Sequence, residues 1–178
     1  MSREVHGMFA EIAGSYDRAN TVLSFGMHHY WRKRTVTLSG ARRGDHVLDC
    51  ATGTGDLAIS FKKAVGKDGV VVGTDFCADM LAFAPAKATQ KGLDIQWEVQ
   101  DAMHLTYADD SFDIASIAFG IRNVDDPLTA LRSMARVVRS GGRVMVLEFG
   151  RPLRWMKPVS YTHLRAHETV LDLVCRLL

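Results

Sequence analysis

The run Val47-Leu-Asp49-Cys-Ala-Thr-Gly53-Thr54-Gly55-Asp56 puts two glycines and two carboxylates into one short stretch. Glycines between a strand-like and a helix-like run let the backbone turn tightly and bring a ligand to the amides of a helix N-terminus. A Gly-x-Gly-x-x-Ala spacing alone is a weak signal. Loops that bind dinucleotide phosphates share it, and so do turns with no ligand. Charge adds information: a loop carrying Asp49 and Asp56 repels a pyrophosphate and suits a cationic ligand. Two more acids follow strand-like runs. Asp75 stands where a carboxylate can accept both hydroxyls of a ribose. Asp101, followed by Ala102, stands where a side chain can meet an adenine amino group. Together these residues favour a cationic adenosine ligand, S-adenosylmethionine, over NAD.

Such groups need a strand–helix frame to position them, and the hydrophobic pattern supplies one. His46 to Cys50 is a short apolar strand. Asp56 to Val65 places Leu57, Ala58, Phe61, Ala64 and Val65 on one helical face before Gly66 stops it. Val70 to Asp75 is β-branched and continuous, the pattern of a strand buried on both faces. Residues 78 to 91 read as a helix that Pro85 must kink or start late. Alternation at Ile95, Trp97 and Val99 gives a third strand, and Phe112 to Phe119 a fourth. Asp125-Asp126-Pro127 opens a helix, with an acidic cap and a proline whose missing N–H is harmless in the first turn. Its expected buried stripe is Leu128, Leu131, Ala135 and Val138. Gly141-Gly142 is its expected end, and Arg143 to Phe149 the fifth strand.

Five strands separated by helix-length segments imply an α/β fold, a doubly wound, mostly parallel sheet with right-handed crossovers. Ligands of such Rossmann-like sheets bind beyond the carboxyl ends of the strands. Residues 41–153 would form this binding core. Residues 1–40 read as a helical segment, with helices around Val5 to Ala13 and His28 to Leu38, that packs on the sheet or covers its strand ends. Residues 154–178 read as an atypical tail.

Composition bounds the class. The chain has 178 residues, 47% hydrophobic and 24% charged, which suits one buried core. Lys+Arg 22 against Asp+Glu 20 leaves net +2, too balanced to predict a nucleic-acid partner. Cys50, Cys77 and Cys175 form no C-x-x-C, which fits a reducing cytoplasm. No stretch approaches the roughly 18 apolar residues of a membrane helix. His163 and His167 have helical metal-ligand spacing but lack a third ligand, so no metal is expected.

The glycine loop with Asp75 and Asp101 resembles class I S-adenosylmethionine-dependent methyltransferases. Three further stretches narrow the resemblance: Met8-Phe-Ala-Glu-Ile-Ala-Gly-Ser-Tyr16-Asp17-Arg-Ala-Asn20, Ser24-Phe-Gly-Met-His28-His-Tyr-Trp31-Arg, and Phe119-Gly120-Ile121-Arg122-Asn123-Val124. These are similar to the ubiquinone/menaquinone C-methyltransferase family, nearer to its demethylmenaquinone branch, over residues 5 to 153. The resemblance implies methyl transfer from S-adenosylmethionine to a ring carbon of a polyprenyl hydroquinone, with the ubiquinone pathway as the alternative. It implies donor contacts at Thr54, Asp75, Asp101, Ala102 and Ala118, beside Asp49, Gly53 and Gly55 from the loop. A lipophilic substrate also implies peripheral contact with the inner face of a membrane.

The chemistry assigns the remaining roles. A phenol's ring carbon becomes nucleophilic when the hydroxyl proton leaves, so the site must align carbon, methyl and sulfur and stabilise an oxyanion. Arg122 stays charged and suits the oxyanion, Asn123 suits the other ring oxygen, and His28 titrates near neutrality and is the candidate base. Tyr16 and Asp17 would shape the pocket; Met8, Phe25 and Met27 would line an isoprenoid entry or serve as packing. Two departures stand out. Ser140-Gly141-Gly142 replaces the family's Pro-Gly-Gly, and the family's last strands are missing after Phe149. The tail reads as foreign to the family, with an amphipathic helix carrying Leu164, Leu171, Val174 and Leu178 as the alternative. Either way the fifth strand is expected to expose the edge Val144 to Leu147, and catalysis to be impaired. An NAD-linked oxidoreductase and an inactive donor-binding fragment are the competing functional classes.

Overall fold

The computed structural model describes residues 27–149, together with the backbone of a strand at 170–176. The apolar runs become β1 (His46–Cys50), β2 (Val70–Asp75), β3 (Gln96–Val99), β4 (Phe112–Ala118), β5 (Val138–Phe149) and β6 (Val170–Arg176). They form one sheet in the order β3-β2-β1-β4-β5-β6. The first five are parallel, and β6 runs antiparallel to β5. The helices are α1 (Met27–Ser39), α2 (Asp56–Val65), α3 (Ala78–Leu81), α4 (Ala84–Thr89) and α5 (Pro127–Val137).

Successive β1 residues face opposite layers, which is why this strand has no polar face. Leu48 packs in one cluster with Ala130, Met134 and Val137 of α5. Val47 packs in the other with Leu57, Phe61 and Val65 of α2. Both are 0% exposed. Each such side chain contributes about 1.5–3 kcal/mol relative to exposure, so β1 is the axis of the double core.

Several expectations are corrected. Residues 78–91 divide into α3 and α4, because Pro85 sits in the first turn of the second helix. Of the expected α5 stripe, Leu131 and Ala135 pack half-buried on the core and Val138 is buried, but Leu128 is 56% exposed, and Ala130, Met134 and Val137 are the buried residues of the helix. Helix α5 ends at Val137 rather than at Gly141-Gly142, and β5 begins at once, with a register irregularity between Phe112 and Ile114. A Cβ on Gly142 would lie 2.6 Å from the Asp113 carbonyl, so this glycine permits the close approach of strands rather than a helix stop. The edge Val144 to Leu147 is paired residue by residue with Cys175 to Asp172. Residues 170–176 therefore form a strand and not an amphipathic helix. The first expected helix, Val5 to Ala13, lies outside the described residues, as do Tyr16, Asp17, Met8, Phe25, His163 and His167.

The chain runs outward from β1 to β2 and β3, then returns to β4 on the other side of β1. The switch point therefore lies between β1 and β4. Each of these strands is followed by a non-glycine residue with positive φ, Ala51 at 49° and Phe119 at 55°. On the other side, Trp97 of β3 lies over Gly73 of β2, its register partner, and reaches Gly55. A Cβ on Gly73 would meet the indole at 2.5 Å, and one on Gly55 at 2.6 Å, so both glycines make room for this ring.

Candidate active site at the carboxyl ends of the strands

Asp49 sits at the end of β1, beneath the glycine loop, and is 0% exposed. Its Oδ2 accepts the Thr52 hydroxyl at 2.6 Å, and its Oδ1 accepts the Ser116 hydroxyl from β4 at 2.7 Å. The Ala58 N–H in the first turn of α2 also points to it. Burial raises its pKa to about 6 against the pull of these donors. Asp49 thus ties strand, loop and helix together from below, and its carboxylate is sealed from any ligand above the loop.

Asp56 opens α2, but it does not leave the loop negative. Arg32 Nη1 of α1 lies 2.9 Å from its Oδ2, and Lys87 Nζ of α4 lies 2.6 Å from its Oδ1. Lys87 also donates to the Thr54 hydroxyl at 3.1 Å. The expectation of a loop that repels pyrophosphate by charge is therefore corrected: one of its acids is buried beneath the loop with its pKa raised to about 6, and the other carries two cations.

Asp75 ends β2, and both of its oxygens accept backbone amides. Oδ2 takes the Gly53 N–H at 2.8 Å and Oδ1 the Cys77 N–H at 2.9 Å. Burial nonetheless raises its pKa. The Phe76 N–H also bonds this carboxylate, whose remaining acceptor capacity suits a ligand hydroxyl. Gly53 and Gly55 have φ of 57° and 83°, the left-handed geometry that turns the loop amides toward this carboxylate. Asp101 lies two residues beyond β3 and caps a 3-10 turn, Ala102–His104, by accepting the Met103 N–H at 2.9 Å. Ala51, Phe76, Asp101, Ala102, Met103 and Val124 line a narrow cleft between these ends. Its walls are mostly apolar, with a carboxylate at the rim, which matches a flat heteroaromatic ring with an exocyclic amino group.

Past the switch point, Phe119-Gly120 folds into a second 3-10 turn, Ile121–Asn123. A Cβ on Gly120 would lie 2.5 Å from the Ala51 Cβ, so this turn closes directly on the end of β1. Arg122 Nη1 bonds Glu148 Oε1 at the end of β5. Asn123 donates its backbone N–H to the Gly120 carbonyl. Ala118 is the last residue of β4 and packs on the α2-side core. His28 is buried on α1, its ring 3.9 Å from that of His29. One turn later Trp31 packs on Phe119 at a centroid distance of 6.0 Å, which places this face of α1 at the end of β4. His28 is therefore not part of an exposed surface pair.

The family model described as the ubiE/COQ5 methyltransferase family matches residues 1–177. The chain belongs to this family. It is 63% identical over 147 residues to the ubiquinone/menaquinone biosynthesis C-methyltransferase UbiE of Bdellovibrio bacteriovorus, covering 83% of this chain and 62% of that protein. It is 44% identical over 153 residues to the same-named protein of Francisella tularensis subsp. novicida, covering 85% and 61%. The chain thus spans about three-fifths of the length of these curated relatives. A solved S-adenosylmethionine-dependent methyltransferase from Aquifex aeolicus superposes with TM-score 0.69 at 21% identity, over 82% of this chain and 75% of that one. The fold is the class I, Rossmann-like methyltransferase fold.

Membership of a methyltransferase family, with solved neighbours titled S-adenosylmethionine-dependent methyltransferases, supports S-adenosylmethionine as the methyl donor, and the residues present fit it. The Asp75 oxygens suit ribose hydroxyls, and the Phe76–Ala102 cleft suits adenine. Among the described residues no group of three or more His, Cys, Asp or Glu is placed to hold a metal. Four site residues escape a reading by motif: Arg32, Lys87, Ser116 and Glu148. Glu148 follows the same strand-end rule as Asp75 and could have been found by it. The other three are visible only once the helices are packed.

Proposed function

We propose that the chain catalyses S-adenosylmethionine-dependent C-methylation of a polyprenyl hydroquinone, converting demethylmenaquinol to menaquinol. One observation carries this reading. The turn Ile121–Asn123 closes on Ala51, so Arg122 and Asn123 share one end of the sheet with Gly53, Asp75 and Asp101. A donor contact set and an oxyanion-binding cation then flank the same switch point.

In this reading Asp75 and Asp101 hold the donor's ribose and adenine, and the Gly53–Thr54–Gly55 loop, propped by Asp49, and Ala118 border its amino-acid end. The donor supplies an electrophilic methyl on a sulfonium. His28 removes or shares the hydroxyl proton, and Asn123 bonds the second ring oxygen. The ring carbon's electron pair forms the new C–C bond as the S–C bond breaks onto sulfur, and the ring C–H proton leaves to restore aromaticity. Arg122 stabilises the oxyanion, while Glu148 orients its guanidinium. The prenyl chain places the reaction at the cytoplasmic surface of a membrane. Among the described residues no helix is long and apolar enough to cross one.

The test is incubation with methyl-labelled donor and demethylmenaquinol, or its ubiquinone-pathway counterpart, in detergent, followed by product mass. A gain of one methyl group on the menaquinone precursor is expected. Methylation confined to the ubiquinone precursor would overturn the menaquinone assignment, and methylation of neither would overturn the activity.

A further inference from the structure

A cavity of about 160 Å³ opens at the amino ends of the strands, at the opposite end of the sheet from the candidate active site. Three arginines line it. Arg42 stands in the link from α1 to β1, and Arg139 and Arg143 flank Gly141-Gly142 in β5. Gly142 lets that stretch pass close to β4, where a Cβ would lie 2.6 Å from the Asp113 carbonyl. Arg143 Nη1 donates to the Leu38 and Ser39 carbonyls at the end of α1, at 3.3 and 2.5 Å. Its Nε and Nη2 donors, and the whole Arg42 guanidinium, have no acceptor among the described residues.

The other polar groups of the lining are engaged. Asp45 Oδ2 accepts the Arg42 backbone N–H at 2.7 Å. Asp113 accepts the His46 N–H on Oδ2 at 2.8 Å, and its Oδ1 meets Arg139 Nη2. The Ser39 hydroxyl donates to the Val36 carbonyl and accepts the Ala41 N–H. Three guanidiniums against two carboxylates leave the lining cationic, with donors to spare. We propose that this cavity binds a phosphoryl group of a small soluble molecule. A guanidinium stays charged and forks onto two oxygens. A carboxylate offers its two oxygens in one plane, whereas tetrahedral phosphoryl oxygens meet donors from both connections at once. The place of the cavity decides the source. The seven residues of β4, about 20 Å of strand, separate it from the carboxyl ends. A lipid headgroup held here would keep the quinol end of the sheet away from the membrane. Only this choice of source rests on the proposed function; the anion site does not. The bound group ties the end of α1 to β5, so the folded chain gains stability with ligand concentration.

The test is calorimetric titration of the full chain with inorganic phosphate, with succinate and with vesicles containing phosphatidic acid, all at one ionic strength. Phosphate is expected to bind about 10-fold more tightly than succinate, and the vesicles not at all. Arg42→Met weakens phosphate binding by about 10-fold or more, the scale of one charge-assisted contact. Arg43→Met removes the same charge from a side chain that packs toward Gly66 and does not line the cavity, and leaves binding unchanged. Asp45→Asn keeps an acceptor for the Arg42 N–H, removes a like charge, and strengthens binding several-fold. Arg42 is exposed, so its truncation spares the core, and Asp45→Asn gives a second reading of opposite sign. A wild-type chain that does not bind phosphate overturns the inference. So does an equal loss in both arginine variants, which makes the effect one of net charge, and so does unchanged or weaker binding in Asp45→Asn. Succinate bound as tightly as phosphate overturns the phosphoryl assignment, and binding to vesicles alone overturns the soluble source. Methyl transfer is not read in this assay, so its failure and that of the proposed function are separate.

Discussion

Asp75 accepts the Gly53 N–H at 2.8 Å, so the end of β2 holds the glycine loop that follows β1. The same carboxylate that shapes the loop is the one proposed to hold the donor's ribose. Asp75→Ala is expected to lower S-adenosylmethionine affinity by about 2–3 kcal/mol, the scale of charge-assisted hydrogen bonds to two hydroxyls. Because the same oxygens satisfy two amides, the variant should also unfold at lower denaturant, by roughly 1–3 kcal/mol. Calorimetry and urea unfolding separate the two effects. Unchanged donor affinity in a folded variant would confine Asp75 to the loop.

In the proposed reaction Arg122 faces a charge that develops as the hydroxyl proton leaves, so its loss should act on turnover more than on donor binding. Arg122→Ala is expected to slow methyl transfer by about 100-fold or more, with donor affinity nearly retained. Glu148→Gln keeps the shape of its partner and removes the charge, and should slow turnover by a smaller factor. Rates at saturating donor and quinol check both. Near-normal turnover of Arg122→Ala would assign the pair to fastening β4 to β5.

Gly73→Ala puts a methyl 2.5 Å from the Trp97 indole. The strands cannot move apart without breaking their ladder, so the expected cost is about 1–3 kcal/mol of stability. Trp97→Leu in the same chain should recover part of it, a coupling of roughly 0.5–3 kcal/mol in a double-mutant cycle. Additive losses in urea unfolding would show that the indole and the glycine do not compete for space.

Burial raises the pKa of Asp49 to about 6 in the folded chain, against an ordinary value of 3.8. Between those values the folded state binds more protons than the unfolded one, so this residue's contribution to stability falls as pH rises. Its effect is complete above about pH 6 and absent below about pH 4. Asp49→Asn removes the titration. The stability difference should shift toward the variant by on the order of 3 kcal/mol between pH 4 and pH 7. Parallel denaturation curves at the two pH values would check it, and a pH-independent difference would place the proton elsewhere.

The frame of the site is legible in the sequence because it depends on local pattern. β1, α2 and β2 begin and end where their apolar runs do, and Asp126 with Pro127 marks the start of α5. Asp75 and Asp101 are legible because a strand-end position is itself a sequence position. The charge of the site is not legible in the same way. Asp56 looks like a free acid until α1 and α4 bring Arg32 and Lys87 to it, and no periodicity reports which helices share an edge. Leu128 shows the same limit on a smaller scale: its spacing fits the stripe with Leu131 and Ala135, which do pack on the core, but it is itself exposed in the first turn of α5, while Ala130, Met134 and Val137 are buried.

The bond between Ser116 and Asp49 joins residues 67 positions apart. Everything assigned to the donor lies on one side or the other of that closure. A growing chain can build β1, α2 and β2 in sequence, yet the ligand has no complete seat until β4 has returned to pair with β1. Binding competence is thus a late event in folding, reached only when the longest loop of the sheet has closed. A ligand that recognises only this closed state draws the wound sheet out of its partly assembled forms, and the supply of methyl donor becomes one of the conditions under which the chain folds.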